Sequence, residues 1–584
     1  MSEKNGSKKT VEQLIIDNLF NQQVYFVFPT DISASVWAER ALDISEKSTT
    51  KNRGGAIALE RFIAWDYFKS NSIKSQQQDK RSIPTTLRKF FAIHILERNK
   101  KEKIFSSLVS QAYADTSVSF KDWITSLLPQ LELWHQRYSS KLSAIEKTFE
   151  QNDLEDCDLL RLYEEYGEFL NANNLFDPAW EKPPFYDDGK TWYILYPQVL
   201  LDFEEYRNLL DSSKNVYIVN VPTKSKTDTK SFKPQVNTFA NTREELHALA
   251  LYIRSVCTEK NIAWQDIALS VPDIETMEPY IRREFELYSI PYQLRSGKKL
   301  SQYPAGRLFT LIQACVQEDF SFASVRNLLL DKNFPWQDDV AINQLIEFGI
   351  KHNCLCSYED RNKKVNVWQD AFNREANEER ARIFLLGGTF DTVYFRGLIR
   401  ALTDIYEAQT FTQIREKYFM FRSEFFDVER FDQSANTIIS RCVMELDSLI
   451  QLQKDFSEAA KCNNPYRFFC SHLDERDYLA QSEDRGVNIF PYKLASSAPF
   501  EHHIVIGASQ NALSIIHQPL HFLSAEKRAQ LGINETILSP YFISLYTHVS
   551  SLTTYFSCSN KTFGAYSLPH NDLDSISGTI DKSN

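Results

Sequence analysis

Short β-branched and aromatic runs alternate along this chain with longer stretches of helical spacing. The runs are VYFVF at Val24–Phe28, WYILYPQVL at Trp192–Leu200, VYIVNV at Val216–Val221, Ile267–Val271, Pro291–Leu294, and the pair VNIFPY and HIVIGA between Arg485 and Leu513. Their length and β-branching predict buried strands. Helical spacing separates them: apolar residues at 11, 14, 15 and 19, then Val36, Trp37 and Leu42 after a start at Asp31 or Ser33, then a helix over Thr276–Leu287. Strand, helix, strand in repetition is how a parallel sheet is built, so an α/β fold is expected.

Two regions depart from that alternation. From Pro84 to Leu175 the apolar spacing is helical throughout, and residues 337 to about 465 read as long amphipathic helices with a strand-like break at Ile383–Thr392. Ser70–Arg81 is polar and reads as an exposed loop, and the Lys-rich stretch 222–235 reads as a linker. Thr242 and Glu245 have the spacing of a capping box. In LERFIAWDYFK, Arg61 and Lys69 are interleaved with Phe62, Trp65 and Phe68, which share one face if the segment is helical. Such rings either stack on bases or pack in a core beneath snorkelling cations.

Composition narrows the classes. With 584 residues, 43% of them hydrophobic and 13% aromatic, the chain is long enough for several domains with sizeable cores. A net charge of −11 excludes a surface basic enough to wrap nucleic acid everywhere and leaves only a local channel. The nine cysteines show no C-x-x-C pairing and no apolar leader follows Met1, so reduced thiols and a cytoplasmic protein are expected. No run of 18 apolar residues occurs, and no membrane partner is expected.

Several segments together resemble superfamily-1 DNA helicases of the UvrD/RecB type. VYFVFPT is similar to motif Ia, in which a strand ends in a Thr-bearing loop that holds a DNA phosphate. The strand at Asp266-Ile267-Ala268 and the turn Tyr288-Ser-Ile-Pro-Tyr292 resemble the flanks of motif IV. Arg485–Leu513 resembles motif V without its T-x-H-x-x-K-G-L-E-F core, and FLSAEKRAQLG from Phe522 resembles a further family segment. The resemblance implies two RecA-like (P-loop NTPase-like) parallel-sheet lobes with large helical insertions. The first lobe is expected at 1–74 and 186–235 with its insertion at 75–185, the second at 236–336 and 466–584 with its insertion at 337–465.

The nucleotide-handling positions of such helicases are replaced. Gly6-Ser-Lys-Lys-Thr10 looks like G-S-G-K-T with Lys8 in place of a glycine, but too few residues precede it for the strand that fixes a phosphate loop. Asp202, Glu204 and Glu205 stand near where a magnesium-holding D-E-x-Q is expected, though carboxylates are common at helix starts. Pro272-Asp273 occupies the place of a nucleotide-holding arginine. No arginine occurs between Arg528 and Asn584, where motif VI supplies one, and such a residue is commonly worth several orders of magnitude in rate.

This pattern of loss resembles the AddB/RecC branch, of the kind fused to a C-terminal PD-(D/E)XK nuclease. It implies a motor-inactive DNA-binding subunit of a double-strand-break repair and recombination complex, with DNA and an active helicase–nuclease subunit as partners and no cofactor. Motif position nominates Thr30, Arg61, Lys69, Lys493 and His502 as DNA contacts. No catalytic and no metal-binding residue is nominated, because no [DE]-x-K follows Pro272-Asp273 on a strand. Two other readings stay open: the N-terminal part of a PD-(D/E)XK exonuclease whose catalytic domain is missing or separately encoded, and a protein–protein scaffold without DNA contact.

Overall fold

The computed structural model describes residues 10–48, 57–74, 79–144, 153–180, 185, 188–222, 235–360, 363–382, 391–479, 485–549 and 553–574. The chain divides into two units, one made of Met1–Arg88, Ala92–Ser296 and Gln481–Asn584, the other of Lys89–Phe91 and Gly297–Ala480. The two larger parallel sheets, of four and six strands, lie in the first unit.

The first sheet begins with α1 (Val11–Asp17), whose Thr10 and Gln13 form a capping box. It is followed by β1 (Val24–Phe28) and α2 (Asp31–Ser48), then β2 (Phe62–Ala64) and α3 (Trp65–Lys74). Leu59–Lys69 is therefore a short strand feeding a helix, not one helix, and residues 70–74 continue that helix instead of forming a loop. Phe62, Trp65 and Phe68 are all buried, and Trp65 and Phe68 stack with centroids 5.6 Å apart. Core packing is what these rings do here.

A helical insertion follows, with α4 (Thr85–Glu102), α5 (Leu131–Ala144) and α6 (Leu154–Ala172). Asp177, fully buried just beyond α6, accepts two bonds from Arg88 at 2.7 and 3.0 Å and one from the Tyr166 hydroxyl at 2.7 Å. Asp158 on α6 accepts the backbone N–H groups of Ser106, Ser107 and Leu108 at 2.8, 2.6 and 2.9 Å. These paired and saturated carboxylates hold loop ends that apolar contacts alone would leave free.

The chain then returns as β3 (Thr191–Leu195), α7 (Phe203–Asp211) and β4 (Val216–Val219), giving the all-parallel order β2-β1-β3-β4. Residues 223–234, which include most of the Lys-rich linker, lie outside the described residues.

The second sheet starts with β5 (Gln235–Phe239), α8 (Thr242–Glu259), β6 (Ile267–Val271), α9 (Ile274–Leu287) and β7 (Tyr292–Leu294). After the second unit it resumes with β8 (Val487–Pro491) and β9 (His502–Val505), and ends with β10 (Thr553–Ser559). All neighbours are parallel, in the order β5-β10-β9-β6-β8-β7. Every residue of β6 and β9 is buried, as parallel strands covered on both faces require, and the buried polar positions among them are Ser270, His502 and His503.

One hydrophobic core reaches across both sheets: Phe26, Phe28 and Trp37 belong to the same packed cluster as Tyr492, Val505, Tyr546 and Phe556. The second unit is mainly helical with two short antiparallel strand pairs, and its described helices include Leu308–Gln317, Phe411–Phe425, Gln433–Asp455 and Pro465–Leu473. Inside it Glu445, 6% exposed, accepts from Arg441 at 2.6 Å and bonds His472 at 3.0 Å, and Arg476 lies within ion-pair distance at 3.3 Å. The strand-like break expected at 383–392 lies outside the described residues up to 390.

Candidate functional site

In a phosphate-binding α/β domain the ligand sits where the first strand turns into its helix, against the N–H groups of the helix start. Here that turn joins β1 to α2 and reads Pro29-Thr30-Asp31-Ile32-Ser33, with neither glycine nor lysine. Thr30 closes it. Its Oγ accepts the Ser33 N–H at 3.2 Å and its carbonyl accepts the Ala34 N–H at 3.1 Å, the pattern of an N-cap. Asp31 supplies a negative charge in the first turn, which favours the helix dipole and opposes an anion.

The same turn is bonded to the second sheet. Thr30 Oγ donates to the Leu494 carbonyl at 3.0 Å, the hydroxyls of Ser33 and Ser497 are 2.5 Å apart, and Trp37 Nε1 donates to the Ser497 carbonyl at 2.9 Å. Ile32 and Val36 pack on a small cluster of Ala268, Phe490, Ala495, Ala498 and Phe500. Small residues at 495–498 let the two backbones come close enough for these bonds. The space in front of the β1–α2 turn is filled by the protein's own loop after β8.

Behind that loop the interior holds several buried polar side chains. Tyr546, on the helix α10 (Ser539–Val549) and fully buried, donates its hydroxyl to the Tyr492 carbonyl and stands 2.8 Å from Ser270 Oγ. His503 on β9 donates Nε2 to the Ala498 carbonyl at 2.8 Å and meets the Tyr546 ring edge-on. Burial pushes the His503 imidazole down to about 4, with the neighbouring His502 adding to the effect, so it is neutral at physiological pH.

The five nominated contact residues do not come together as one surface. Arg61 is 2% exposed and spends its guanidinium on the carbonyls of Val24, Leu19 and Asn18, each at 2.7 Å. It ties β1 to α1, and its role as a DNA contact is corrected to an internal brace. His502 is 1% exposed on β9, lowered to about 4 by burial, and offers no cation to a phosphate. Lys69 is paired with Asp66 at 2.8 Å and with Asp202. Thr30 is committed as described. Lys493, at the start of the loop after β8, is exposed and has no carboxylate partner among the described residues.

The remaining candidates are explained by local structure. Asp202 accepts the Trp65 indole N–H at 2.7 Å besides pairing with Lys69, and Glu204 and Glu205 follow it in the first turn of α7. Asp273 caps α9 through the Thr276 N–H at 3.2 Å. Of Gly6–Thr10 only Thr10 is among the described residues. Among the described residues no group of three or more His, Cys, Asp or Glu could hold a metal ion, and no helix is long and apolar enough to cross a membrane.

Sequence reading missed Glu245. The cap of α8 is Asn241, which accepts the Glu244 N–H at 3.1 Å, one residue before the expected box. Glu245 instead turns inward, 1% exposed, and accepts from the Gly507 N–H at 2.8 Å and from the Ser557 and Ser559 hydroxyls at 2.6 Å each. Gly507 presents its N–H through a φ of +59°, a conformation that favours glycine. The carboxylate thus joins the C-terminal ends of β9 and β10 to the start of α8, the edge where parallel sheets bind ligands.

Comparison with known proteins agrees with this architecture. Residues 11–220 match the model of the Treponema TP0900 N-terminal P-loop domain, and residues 301–479 match that of the Treponema TP0900 fourth helical domain. An uncharacterised protein of Treponema pallidum (strain Nichols) is 30% identical over 589 aligned residues, covering 94% of this chain and 72% of that protein. A subunit of the ATP-dependent helicase/deoxyribonuclease of Desulfitobacterium hafniense (strain DSM 10664 / DCB-2) is 24% identical over 156 residues, 26% of this chain and 13% of that one. Its namesake from Staphylococcus carnosus (strain TM300) is 27% identical over 118 residues, 19% of this chain and 10% of that one.

Proposed function

We propose that this chain, which belongs to the Treponema TP0900 family, is a helicase-like protein that holds DNA without acting as a motor, beside an active helicase–nuclease subunit in break repair. The distant likeness to the helicase/deoxyribonuclease subunits supports the helicase-like part of this reading.

The observation that carries the motor-inactive part is the closed β1–α2 turn. A phosphate loop needs backbone N–H groups open to the ligand, glycines that let them converge, and a lysine for the outer phosphates. Here the N–H of Ser33 is used by Thr30, an aspartate opens the helix, and Leu494–Ser497 covers the turn. A motor also needs its lobes to part and close around nucleotide, whereas these sheets share one apolar core. Of the nominated DNA contacts, Lys493 keeps an exposed cation next to this turn.

The test is binding of single-stranded and blunt duplex DNA at several salt concentrations, with ATP hydrolysis followed in the same tubes. The expected result is binding that weakens steeply with salt, because phosphate contacts release counterions, and no DNA-stimulated hydrolysis. DNA-stimulated hydrolysis overturns the motor-inactive reading, and absence of any DNA binding overturns the DNA-holding one.

A further inference from the structure

Just past β10 the chain makes a tight hairpin whose two short strands, β11 (Lys561–Thr562) and β12 (Ala565–Tyr566), are joined by Phe563 and Gly564. Both turn residues have positive φ, +48° and +91°, as a two-residue turn of the primed type requires. Glycine adopts this freely, but a bulky aromatic there is an outlier that costs energy. The base of the hairpin is firmly held: Asn560 N–H bonds the Phe239 carbonyl at 2.7 Å, Ser567 N–H the Asn560 carbonyl at 3.0 Å, and Gln510 N–H the Leu568 carbonyl at 2.8 Å.

What this rigid base presents is apolar and unburied. Tyr566 is 85% exposed, more than any other large apolar side chain among the described residues, and Leu568 is 73% exposed. Phe563 and Tyr280 of α9 are each about half exposed and touch with centroids 5.1 Å apart. Three cations belong to the same or adjoining segments. Lys561 Nζ lies 5.0 Å from the Tyr566 ring centroid. Arg243 follows Thr242, whose hydroxyl reaches the Lys561 carbonyl at 3.4 Å, and Arg283 is one turn beyond Tyr280 on α9. All three cations are exposed, and none has a carboxylate partner among the described residues.

We propose that the 561–566 hairpin, with Tyr280, is a stacking platform for single-stranded nucleic acid. Exposed rings that no core needs, set rigidly among unpaired cations in a chain of net charge −11, match a ligand with flat apolar bases and a charged backbone. An apolar protein partner would need no such cations beside the rings. Duplex DNA, whose bases are already stacked, gains nothing from the rings. The proposal rests on the DNA-holding reading and assigns it a place, at the end of β10 in the second sheet.

The experiment uses the full chain and fluorescein-labelled oligo-dT, an abasic oligonucleotide of the same length, and a blunt duplex. Tyr566→Ala is the main variant, because so exposed a ring carries little of the fold, and thermal unfolding checks that it folds. The expected result is a loss of about tenfold or more in oligo-dT affinity. Affinity for the abasic strand and the duplex stays within about twofold, and Lys561→Ala lowers the salt slope for oligo-dT by about one. If the wild type binds oligo-dT and Tyr566→Ala binds it equally well, the hairpin assignment falls and the DNA-holding reading stands. If the wild type binds none of the three probes, both fall.

Discussion

The indole N–H of Trp37, on the helix after β1, donates to the backbone carbonyl of Ser497, in the loop after β8, at 2.9 Å. Those residues are separated by most of the chain, yet with the 2.5 Å contact between the Ser33 and Ser497 hydroxyls they join two sheets that a motor would move apart.

Removing this joint has a measurable cost. Trp37→Phe keeps most of the apolar body and leaves a buried carbonyl unpaired, a loss of about 1–3 kcal/mol. A double-mutant cycle of Ser33→Ala and Ser497→Ala is expected to give a coupling of about 1 kcal/mol by urea denaturation. A coupling of zero would mean that the Ser33–Ser497 contact adds nothing to the joint, which the Trp37 and Thr30 bonds and apolar packing then hold.

Closure of the β1–α2 turn predicts that ATP does not stabilise the fold. A nucleotide bound at a hundred times its Kd would add about 2.7 kcal/mol of stability and raise the melting temperature. Thermal unfolding with and without millimolar Mg-ATP is expected to coincide.

Arg61 is expected to matter for stability and not for DNA. Arg61→Met leaves the buried Val24 and Leu19 carbonyls and the partly buried Asn18 carbonyl without their charged donor and costs about 3 kcal/mol or more. The urea midpoint falls with little change in slope, while the DNA affinity of the folded fraction is unchanged.

How far these roles can be read in advance depends on what burial does to a pattern. The strands at 24–28, 267–271 and 487–491 are legible because a parallel strand covered on both faces is apolar on both, broken here only by Ser270 and Asn488. Segment 59–69 is misread because the end of β2 and the start of α3 together space aromatic residues three apart, which imitates a helix. At the start of α8 two cap-like spacings overlap, Asn241 to Glu244 and Thr242 to Glu245. Only the packing of Ser557 and Ser559 decides which glutamate turns inward. Arg61 and His502 look like phosphate ligands because residue type reveals charge and not depth. The hairpin at 561–566 is too short to leave a periodic trace.

The thiols give a test of both units at once. Cys157 and Cys356 are exposed, whereas Cys315, Cys354, Cys442, Cys470 and Cys558 are buried. Burial pushes Cys315 and Cys442 up to about 12 and Cys354 and Cys558 up to about 11, so they hold almost no reactive thiolate at neutral pH. Native protein treated with a maleimide is expected to label first at Cys157 and Cys356, and the five buried thiols only after denaturant, as peptide mapping would show.

The buried histidines set the behaviour in acid. Unfolded, His503 takes a proton near pH 6.5, while in the fold its burial delays protonation to about 4. Between those values the unfolded chain binds more protons, so stability falls as pH drops from about 6.5 to 4 and levels off for this group below that. The full shift corresponds to roughly 3 kcal/mol, an upper figure because the unfolded chain and the surrounding loop both relax. His502 shifts the same way, so the wild type is expected to lose stability steeply across this window. His503→Gln keeps a donor for the Ala498 carbonyl and cannot titrate. Its stability at pH 7 drops, but its slope against pH between 6.5 and 4 is shallower by up to one proton. An unchanged slope in urea titrations at stepped pH would show that acid sensitivity comes from other groups.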